Sequence, residues 1–290
     1  MAIQFFGQPG LAPVWPKRPL NILFLTSVRD VVGDDQNGQI VETSNGSRYM
    51  MGVPEATLIH SQPGEILHGL VKVVGLIADD TGKDAAKWNI SPMPGERWIA
   101  RHWALDTGAM NIPSNFRSLP LSDEAGRIQQ KTEFESNIRT TMEFWEADVL
   151  VSDHYMARID FLFPPALQFG RILNIHPAPT LEGHEFCFRG ERPTLAALAM
   201  AEITNREVYT GATLHIVDPQ IDHGPVVAFA ADTRVYPGES SVSLRYRNYQ
   251  TSKIPVFVAG LRHYVLNIFP HLDKLDLYAL SRHGGSLRKE

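Results

Sequence analysis

The stretch Arg171-Ile-Leu-Asn174-Ile-His176-Pro177, followed after a gap by Thr210-Gly-Ala-Thr-Leu-His-Ile-Val-Asp-Pro-Gln-Ile-Asp222-His-Gly224-Pro225, decides how this chain is read. Each half reads as a short apolar strand that delivers polar residues at its end. On a strand, residues two apart point the same way, so Asn174 and His176 face one cleft while Ile175 turns into the core. Pro177 has no N–H for a sheet ladder and biases His176 toward an extended backbone, so the strand stops there. The histidine is left at a strand mouth, where open α/β sheets bind their ligands. Asp222 sits in a turn that a strand from Thr213 to Val217 leads into, placed to orient His176 or a bound water. Acyl transfer to an amine needs a hydrogen-bond donor on the developing oxyanion and a group that moves a proton near neutral pH. Asn174, His176 and Asp222 are therefore the candidate catalytic residues. Taken singly, an Asn-x-His pair caps strand ends and an aspartate in a Gly-Pro turn is a turn residue. Their combination carries the reading.

Working outward, the pattern is that of an α/β protein with an open, mostly parallel, doubly wound sheet. Leu20 to Thr26 and Val71 to Ala78 are apolar strands flanked by turn residues. Between them, Arg29 to Ser47 is polar and reads as a long loop over a site or a small hairpin around Asn37-Gly38. Thr81 to Pro120 shows no clear period and is expected to be irregular, substrate-contacting structure. Ser122 to Glu146 is helical, with Phe134, Ile138, Met142 and Trp145 on one core-facing stripe and Asp123 and Glu124 in the acidic first turn. Strands follow at Asp148 to Ser152, Arg171 to Ile175, Thr213 to Val217 and Val226 to Phe229. A helix starts at Pro193, a favoured first-turn residue, and runs to about Thr204. Ser240 to Phe269 is helical and expected to break near Pro255. The organisation expected is an extended arm over 1–19, a catalytic unit over 20–235 and a helical extension over 236–290 packed on it.

Composition narrows the function. The chain has 290 residues, of which 43% are hydrophobic and 20% charged, enough for one large core. Its net charge of -5 and lack of a basic stripe argue against a nucleic-acid partner. No window is long and apolar enough to span a membrane, and the proline-rich start is no signal peptide. Cys187, the single cysteine, excludes an internal disulfide and suits a reducing cytosol. The Asn45-Gly-Ser47 glycosylation match is without meaning there. The first strand is not followed by Gly-x-Gly-x-x-Gly, and no phosphate-loop lysine motif is present, so a dinucleotide or nucleoside triphosphate site is not expected. His154, His176, His184, Cys187, His215 and His223 raise metal-dependent hydrolysis as an alternative. His184-x-x-Cys187 is one ligand pair, yet no Cys-x-x-Cys or His-Glu-x-x-His spacing supports it, and no metal is expected. In a non-catalytic binding protein, the other alternative, Asn174 and Asp222 would be structural.

The two quoted segments resemble the signature of the folate-dependent formyltransferases, the family of glycinamide ribonucleotide transformylase and the amino-terminal domain of methionyl-tRNA formyltransferase. There an Asn-x-His-Pro segment ends one strand, and a Thr-Gly-x-Thr-x-His-x-Val-Asp segment leads to an aspartate followed closely by Gly-Pro. Ala147 to Ile159 resembles the strand and loop that line the folate pocket of that family. The resemblance covers residues 147–228 well and the rest loosely. It implies 10-formyltetrahydrofolate as co-substrate, with Met156, Ala157, Arg158, Ile159, Pro219, Gln220 and Ile221 beside the pterin.

The loop after the Asn-x-His motif departs from the commonest family pattern of Leu-Leu-Pro and a glycine. It reads Pro177-Ala-Pro-Thr-Leu-Glu-Gly-His-Glu-Phe-Cys-Phe-Arg-Gly190. This loop resembles that of siderophore-pathway members, which formylate the side-chain hydroxylamine of N5-hydroxyornithine. Glu182, Glu185, Arg189 and Arg192 are then the candidates for the amino and carboxylate groups of an amino-acid acceptor, with plain solvation as the simple alternative for each. A glycinamide ribonucleotide or amino-sugar acceptor would want a basic cluster or helix N-terminus for its phosphates, which the sequence does not locate. A formyltetrahydrofolate hydrolase would use the same three residues on water, but the family's hydrolases carry an amino-terminal domain that residues 1–19 are too short to form. With Asp222 beside it, His176 is expected to titrate near or above its ordinary 6.5.

Overall fold

The computed structural model describes residues 2–7, 10–27, 37–88, 108–155, 157–159, 170–204, 206–218 and 220–275. The strands among them are Gln4–Phe5 (β1), Leu20–Thr26 (β2), Gln39–Thr43 (β3), Gly46–Met50 (β4), Val71–Ala78 (β5), Gly108–Asn111 (β6), Val149–Asp153 (β7), Ile172–His176 (β8), Val208–Ile216 (β9) and Val226–Val235 (β10). The α-helices are Val53–His60 (α1), Gly82–Trp88 (α2), Glu124–Phe144 (α3), Pro193–Ile203 (α4), Ser241–Asn248 (α5) and Ile254–His263 (α6).

The main sheet runs β1-β10-β9-β8-β7-β2-β5-β6, and β3 and β4 form a separate hairpin. From β8 through β7, β2 and β5 to β6 every pairing is parallel; β9 then lies antiparallel to β8, β10 to β9, and β1 to β10. The run Leu20–Thr26 is apolar at nearly every position because β2 sits mid-sheet with both faces covered. Its side chains alternate between two cores. Ile22 and Phe24 join Val151, Leu173 and Ile175 under α1, α6 and the turn that follows α6. Leu23 and Leu25 join Leu150 and Ile172 under Phe134 and Ile138 of α3. Asp123 caps α3, its carboxylate accepting from the Gly126 amide at 3.0 Å. Trp145, just past α3, lies flat over β5 and β6. A Cβ at Gly75 or Gly108 would stand 2.3 or 2.4 Å from its ring, so both strands need glycine beneath it.

Several elements differ from the sequence reading. The hairpin turns at Ser44-Asn45 rather than at Asn37-Gly38, because β3 and β4 pair Thr43 with Gly46. Within 81–120, expected to be irregular, lie α2, β6 and a 3-10 turn at Asn115–Ser118. Their short lengths left no period to detect. The C-terminal helix does not break at Pro255. Wide π-helical turns at Tyr249–Lys253 and Tyr264–Ile268 flank α6, and the first absorbs the N–H that Pro255 lacks. These helices share the principal core with the sheet. The amino-terminal segment adds β1 to the outer edge of β10.

Candidate active site

Asn174 and His176 end β8 with Ile175 between them buried in the core. The register sets what they meet. Across the antiparallel pairing with β9, Asn174 lies opposite His215 and His176 opposite Thr213. His215 Nδ1 donates to the Ile216 carbonyl at 3.1 Å, which leaves its Nε2 as an acceptor for the Asn174 amide at 3.0 Å. The same Asn174 Nδ2 stands 3.4 Å from Asp222 Oδ1, a long contact that holds its second hydrogen only loosely.

Asp222 reaches the site from the turn after β9. Its backbone is left-handed, at φ 57°, a conformation that aspartate tolerates better than most residues. Gly224 then lets the chain fold back on the strand end. A Cβ there would fall 1.7 Å from the Ile216 carbonyl oxygen, and Ile216 donates its amide to the Pro225 carbonyl at 2.8 Å. So placed, Asp222 Oδ2 accepts the Gly190 amide at 3.0 Å and stands 3.4 Å from His176 Nδ1. Asp222 Oδ1 is 3.7 Å from His215 Nε2.

The loop from Pro177 to Arg192 closes the arrangement. Phe186 and Phe188 anchor it in an apolar cluster with Ala178, Ala197 and Val208. Thr213 Oγ1 donates to the Ala178 carbonyl at 3.0 Å and accepts the Thr180 amide at 3.1 Å. The Phe188 carbonyl, thereby positioned, accepts from His176 Nε2 at 2.8 Å.

These contacts set the charges. His176 is 6% exposed, Asp222 9% and His215 2%, whereas Asn174 is partly open. Burial pulls the His176 imidazole below its ordinary range. The Asp222 charge and the Phe188 carbonyl pull it upward, while His215 and Arg245 add to the lowering. Burial alone would push Asp222 up, but its contacts with His215, His176 and the Gly190 amide outweigh that and hold it well below the usual carboxylate range. The site thus pairs an ionised carboxylate with a neutral imidazole whose bare Nδ1 faces it. A neutral base, a proton stabiliser and an amide donor within one cleft suit proton transfer coupled to attack on a carbonyl.

Asn174, His176 and Asp222 come together in this cleft. Other candidates are more dispersed. Met156 and Pro219 lie outside the described residues. Ala157 is half-buried, Arg158 is exposed, and Ile159 is buried in the core beneath α3. The Gln220 backbone N–H donates to Asp218 Oδ1 at 2.9 Å, and Ile221, 61% exposed, presents an apolar side chain next to Asp222. Arg189 donates from Nε and Nη2 to the Thr180 carbonyl at 3.0 and 2.7 Å, with Nη1 3.2 Å from His223 Nε2. Glu182 and Arg192 are exposed, and Glu185 pairs with Arg206 on the surface. The Phe188 carbonyl, the Gly190 amide and the His215 acceptor are site groups that reading the sequence missed. Two are backbone atoms, and the third is fixed only by the β8–β9 register.

The alternative ligand pair is spent on packing: His184 Nδ1 accepts the Phe186 amide at 3.1 Å, and its ring meets Phe229 edge-on at 5.0 Å. Among the described residues no group of three or more His, Cys, Asp or Glu is arranged to hold a metal ion. None of their helices is long and apolar enough to cross a membrane.

The family model described as formyl transferase matches residues 70–259. The fold is similar to a solved structure described as PvdF of pyoverdin biosynthesis, an N10-formyltetrahydrofolate-dependent formyltransferase. That match has a TM-score of 0.70 at 27% identity and covers 83% of this chain and 97% of the other. Glycinamide ribonucleotide transformylase 1 from Symbiobacterium toebii matches with a TM-score of 0.49 at 17% identity, covering 89% of this chain and 93% of the other. No curated protein sequence matches significantly.

Proposed function

Since this chain belongs to the formyl transferase family and takes its formyl group from 10-formyltetrahydrofolate, we propose that its acceptor is the side-chain hydroxylamine of an amino acid, N5-hydroxyornithine, in siderophore biosynthesis. The observation that carries this reading is the Asn174, His176 and Asp222 arrangement closed by the long 177–192 loop, together with the likeness at 27% identity to a pyoverdin-pathway formyltransferase.

The geometry supports the following step. The acceptor nitrogen attacks the formyl carbon, and the carbonyl oxygen takes up the negative charge. Asn174 meets it with the amide hydrogen that Asp222 holds only at 3.4 Å, while the other hydrogen stays on His215 and keeps the amide oriented. The proton lost by the attacking nitrogen passes to His176 Nδ1, where the Asp222 carboxylate stabilises the imidazolium. His176 then returns it to N10 of the folate as the C–N10 bond breaks, which leaves tetrahydrofolate and the N-formyl product. A hydroxylamine nitrogen is largely unprotonated near neutral pH, so a weakly basic, buried imidazole suffices.

From the family resemblance we assign the folate to the segments that carry Ala157, Arg158, Gln220 and Ile221. The acceptor falls to the 177–192 loop, where Arg189 reaches His223, the residue after Asp222. Glu182 and Arg192 are exposed on the same loop, and Glu185 is committed to Arg206, so we give them a smaller share. The net charge of -5 and a single free cysteine support a cytosolic enzyme acting on a small molecule. The test is to incubate the protein with 10-formyltetrahydrofolate and a panel of amines and hydroxylamines, and to follow tetrahydrofolate release and formylated product by mass. Formylation of N5-hydroxyornithine well above the other acceptors is the expected outcome. Preference for glycinamide ribonucleotide, or formate release without any acceptor, would overturn the assignment.

A further inference from the structure

At the carboxyl ends of β2 and β7, on the sheet face opposite Asn174, lies a buried polar cluster that formyl transfer as described does not use. Thr26 and Asp153 are register partners there, and both turn toward the core beneath α6. Lys253, 0% exposed, places Nζ 2.7 Å from Asp153 Oδ1, 2.8 Å from Tyr249 Oη and 3.0 Å from His154 Nε2. Its three N–H groups are thereby spoken for. His154, held at φ 67°, also meets Asn37 Nδ2 at 2.8 Å and Tyr249 Oη at 2.5 Å.

Three oxygens in this cluster have no hydrogen-bond partner although they are buried: Asp153 Oδ2, Asn37 Oδ1 and Thr26 Oγ1. Their residues are 0%, 4% and 0% exposed. A buried carboxylate oxygen without a donor is costly, and such exceptions in a folded protein call for an explanation. Asp153 Oδ2 and Asn37 Oδ1 can only accept, so what they lack is a donor, and Lys253 has none to spare; the Thr26 hydroxyl can accept beside them.

A group with several N–H donors and a positive charge fits: an alkylammonium. The placement relative to the reaction is also suited. Ser152 of β7 is the register partner of Asn174, so Asp153 ends the strand next to the candidate catalytic one. Asp153 and Asn174 project from opposite faces of neighbouring strand ends, so an acceptor that reaches both lies over the carboxyl edge of the sheet with a chain of several methylenes between its two nitrogens. We propose that Thr26, Asn37 and Asp153 bind the α-ammonium group of an amino-acid acceptor whose reacting nitrogen lies at the far end of its side chain. This rests on the acceptor reading given above and adds to it the residues that select an amino acid.

The test compares N5-hydroxyornithine with 5-(hydroxyamino)pentanoate, which lacks only the α-ammonium group, in the parent protein and in Thr26→Val. That variant keeps the side-chain shape and removes one oxygen that has no partner. The parent is expected to favour N5-hydroxyornithine in kcat/KM by at least about ten-fold, the worth of a hydrogen bond to a charged group. Thr26→Val should lose most of that preference by slowing N5-hydroxyornithine alone, with the KM for 10-formyltetrahydrofolate unchanged; Asn37→Ala should act in the same direction. Equal use of both hydroxylamines by the parent, or an equal loss on both in Thr26→Val, overturns the subsite. If neither hydroxylamine is formylated the acceptor reading fails, and calorimetry with ornithine and 5-aminopentanoate decides the subsite separately. Tighter ornithine binding that Thr26→Val weakens upholds it; equal binding of the two, or none, removes it.

Discussion

The Phe188 carbonyl accepts the His176 Nε2 proton at 2.8 Å, so the nitrogen that faces the Asp222 carboxylate, 3.4 Å away, is a bare Nδ1. The tautomer of His176 is therefore set by the backbone of the long loop. Asp222 instead stands where a proton arriving on Nδ1 is stabilised. The loop that departs from the common family pattern thus holds both His176 and Asp222 through its backbone.

A first consequence concerns the pH dependence of turnover. The proposed base must be neutral to accept a proton, and burial draws His176 below its ordinary 6.5, against the expectation that Asp222 would leave it near or above that value. The acidic limb of kcat, measured with donor and acceptor both saturating, is expected below pH 6.5. Asp222→Asn removes an upward pull, so the limb should move lower still while the rate falls. An unmoved limb in Asp222→Asn assigns it to the substrate or to another group.

Folding stability carries the same sign. Because the folded pKa of His176 is depressed, the unfolded chain binds its proton more readily, and stability present above the unfolded value near 6.5 is lost as the pH falls toward the folded one. Urea midpoints taken at pH 7 and pH 5 should separate more in the parent than in His176→Gln. Equal separations would mean that His176 is not the buried neutral group described.

Replacing the base tests its role directly. His176→Ala should lower kcat by about 10²- to 10⁴-fold, the range of general acid–base catalysis. It should also cost about 1–3 kcal/mol of stability, because the Phe188 carbonyl is left buried without its donor. Circular dichroism and a denaturant titration separate the two effects. Near-parent turnover in the folded variant would take His176 out of the mechanism.

The parts of the fold that were legible in the sequence are those with strong local signals. Leu20–Thr26 and Val71–Ala78 read to the residue, because buried parallel strands are unbroken apolar runs bounded by turn residues. The α3 stripe of Phe134 and Ile138 read through its helical period. The short elements α2 and β6 carried no period, and the wide turn that carries the chain through Pro255 answers to packing rather than to local propensity. At the candidate site, side chains with recognisable chemistry could be named, but their partners could not. His215 meets Asn174 only through the β8–β9 register, and Gly190 and Phe188 act through backbone atoms that carry no side-chain signature.

Gly224 gives a prediction about how the site is held. A Cβ on it would fall 1.7 Å from the Ile216 carbonyl oxygen, so Gly224→Ala must displace the turn that carries Asp222. Activity should fall by a factor comparable to that of Asp222→Ala, with a lowered melting temperature. Gly82→Ala, where nothing lies within 4 Å of the added carbon, is the matched control and should leave both unchanged. A Gly224→Ala protein with full activity would show that the turn has slack and that the placement of Asp222 is not critical.

Arg189 separates a substrate-binding role from a structural one. Its guanidinium braces the loop by donating twice to the Thr180 carbonyl, and the remaining Nη1 lies at the rim beside His223, the residue after Asp222. If that free edge meets the acceptor, Arg189→Lys, which keeps the charge and can still reach one carbonyl, should raise the KM for N5-hydroxyornithine several-fold. It should do so with little change in kcat and none in the KM for 10-formyltetrahydrofolate, since binding lost uniformly at one substrate spares the chemistry. If Arg189 only braces the loop, its loss moves the Phe188 carbonyl and the Gly190 amide together, and kcat falls with its pH limb displaced while the acceptor KM holds. Arg206→Ala, which removes an exposed surface pair with Glu185, should alter neither parameter. A fall in kcat alone in Arg189→Lys would therefore remove this arginine from the acceptor pocket and leave it as a positioning residue for His176 and Asp222.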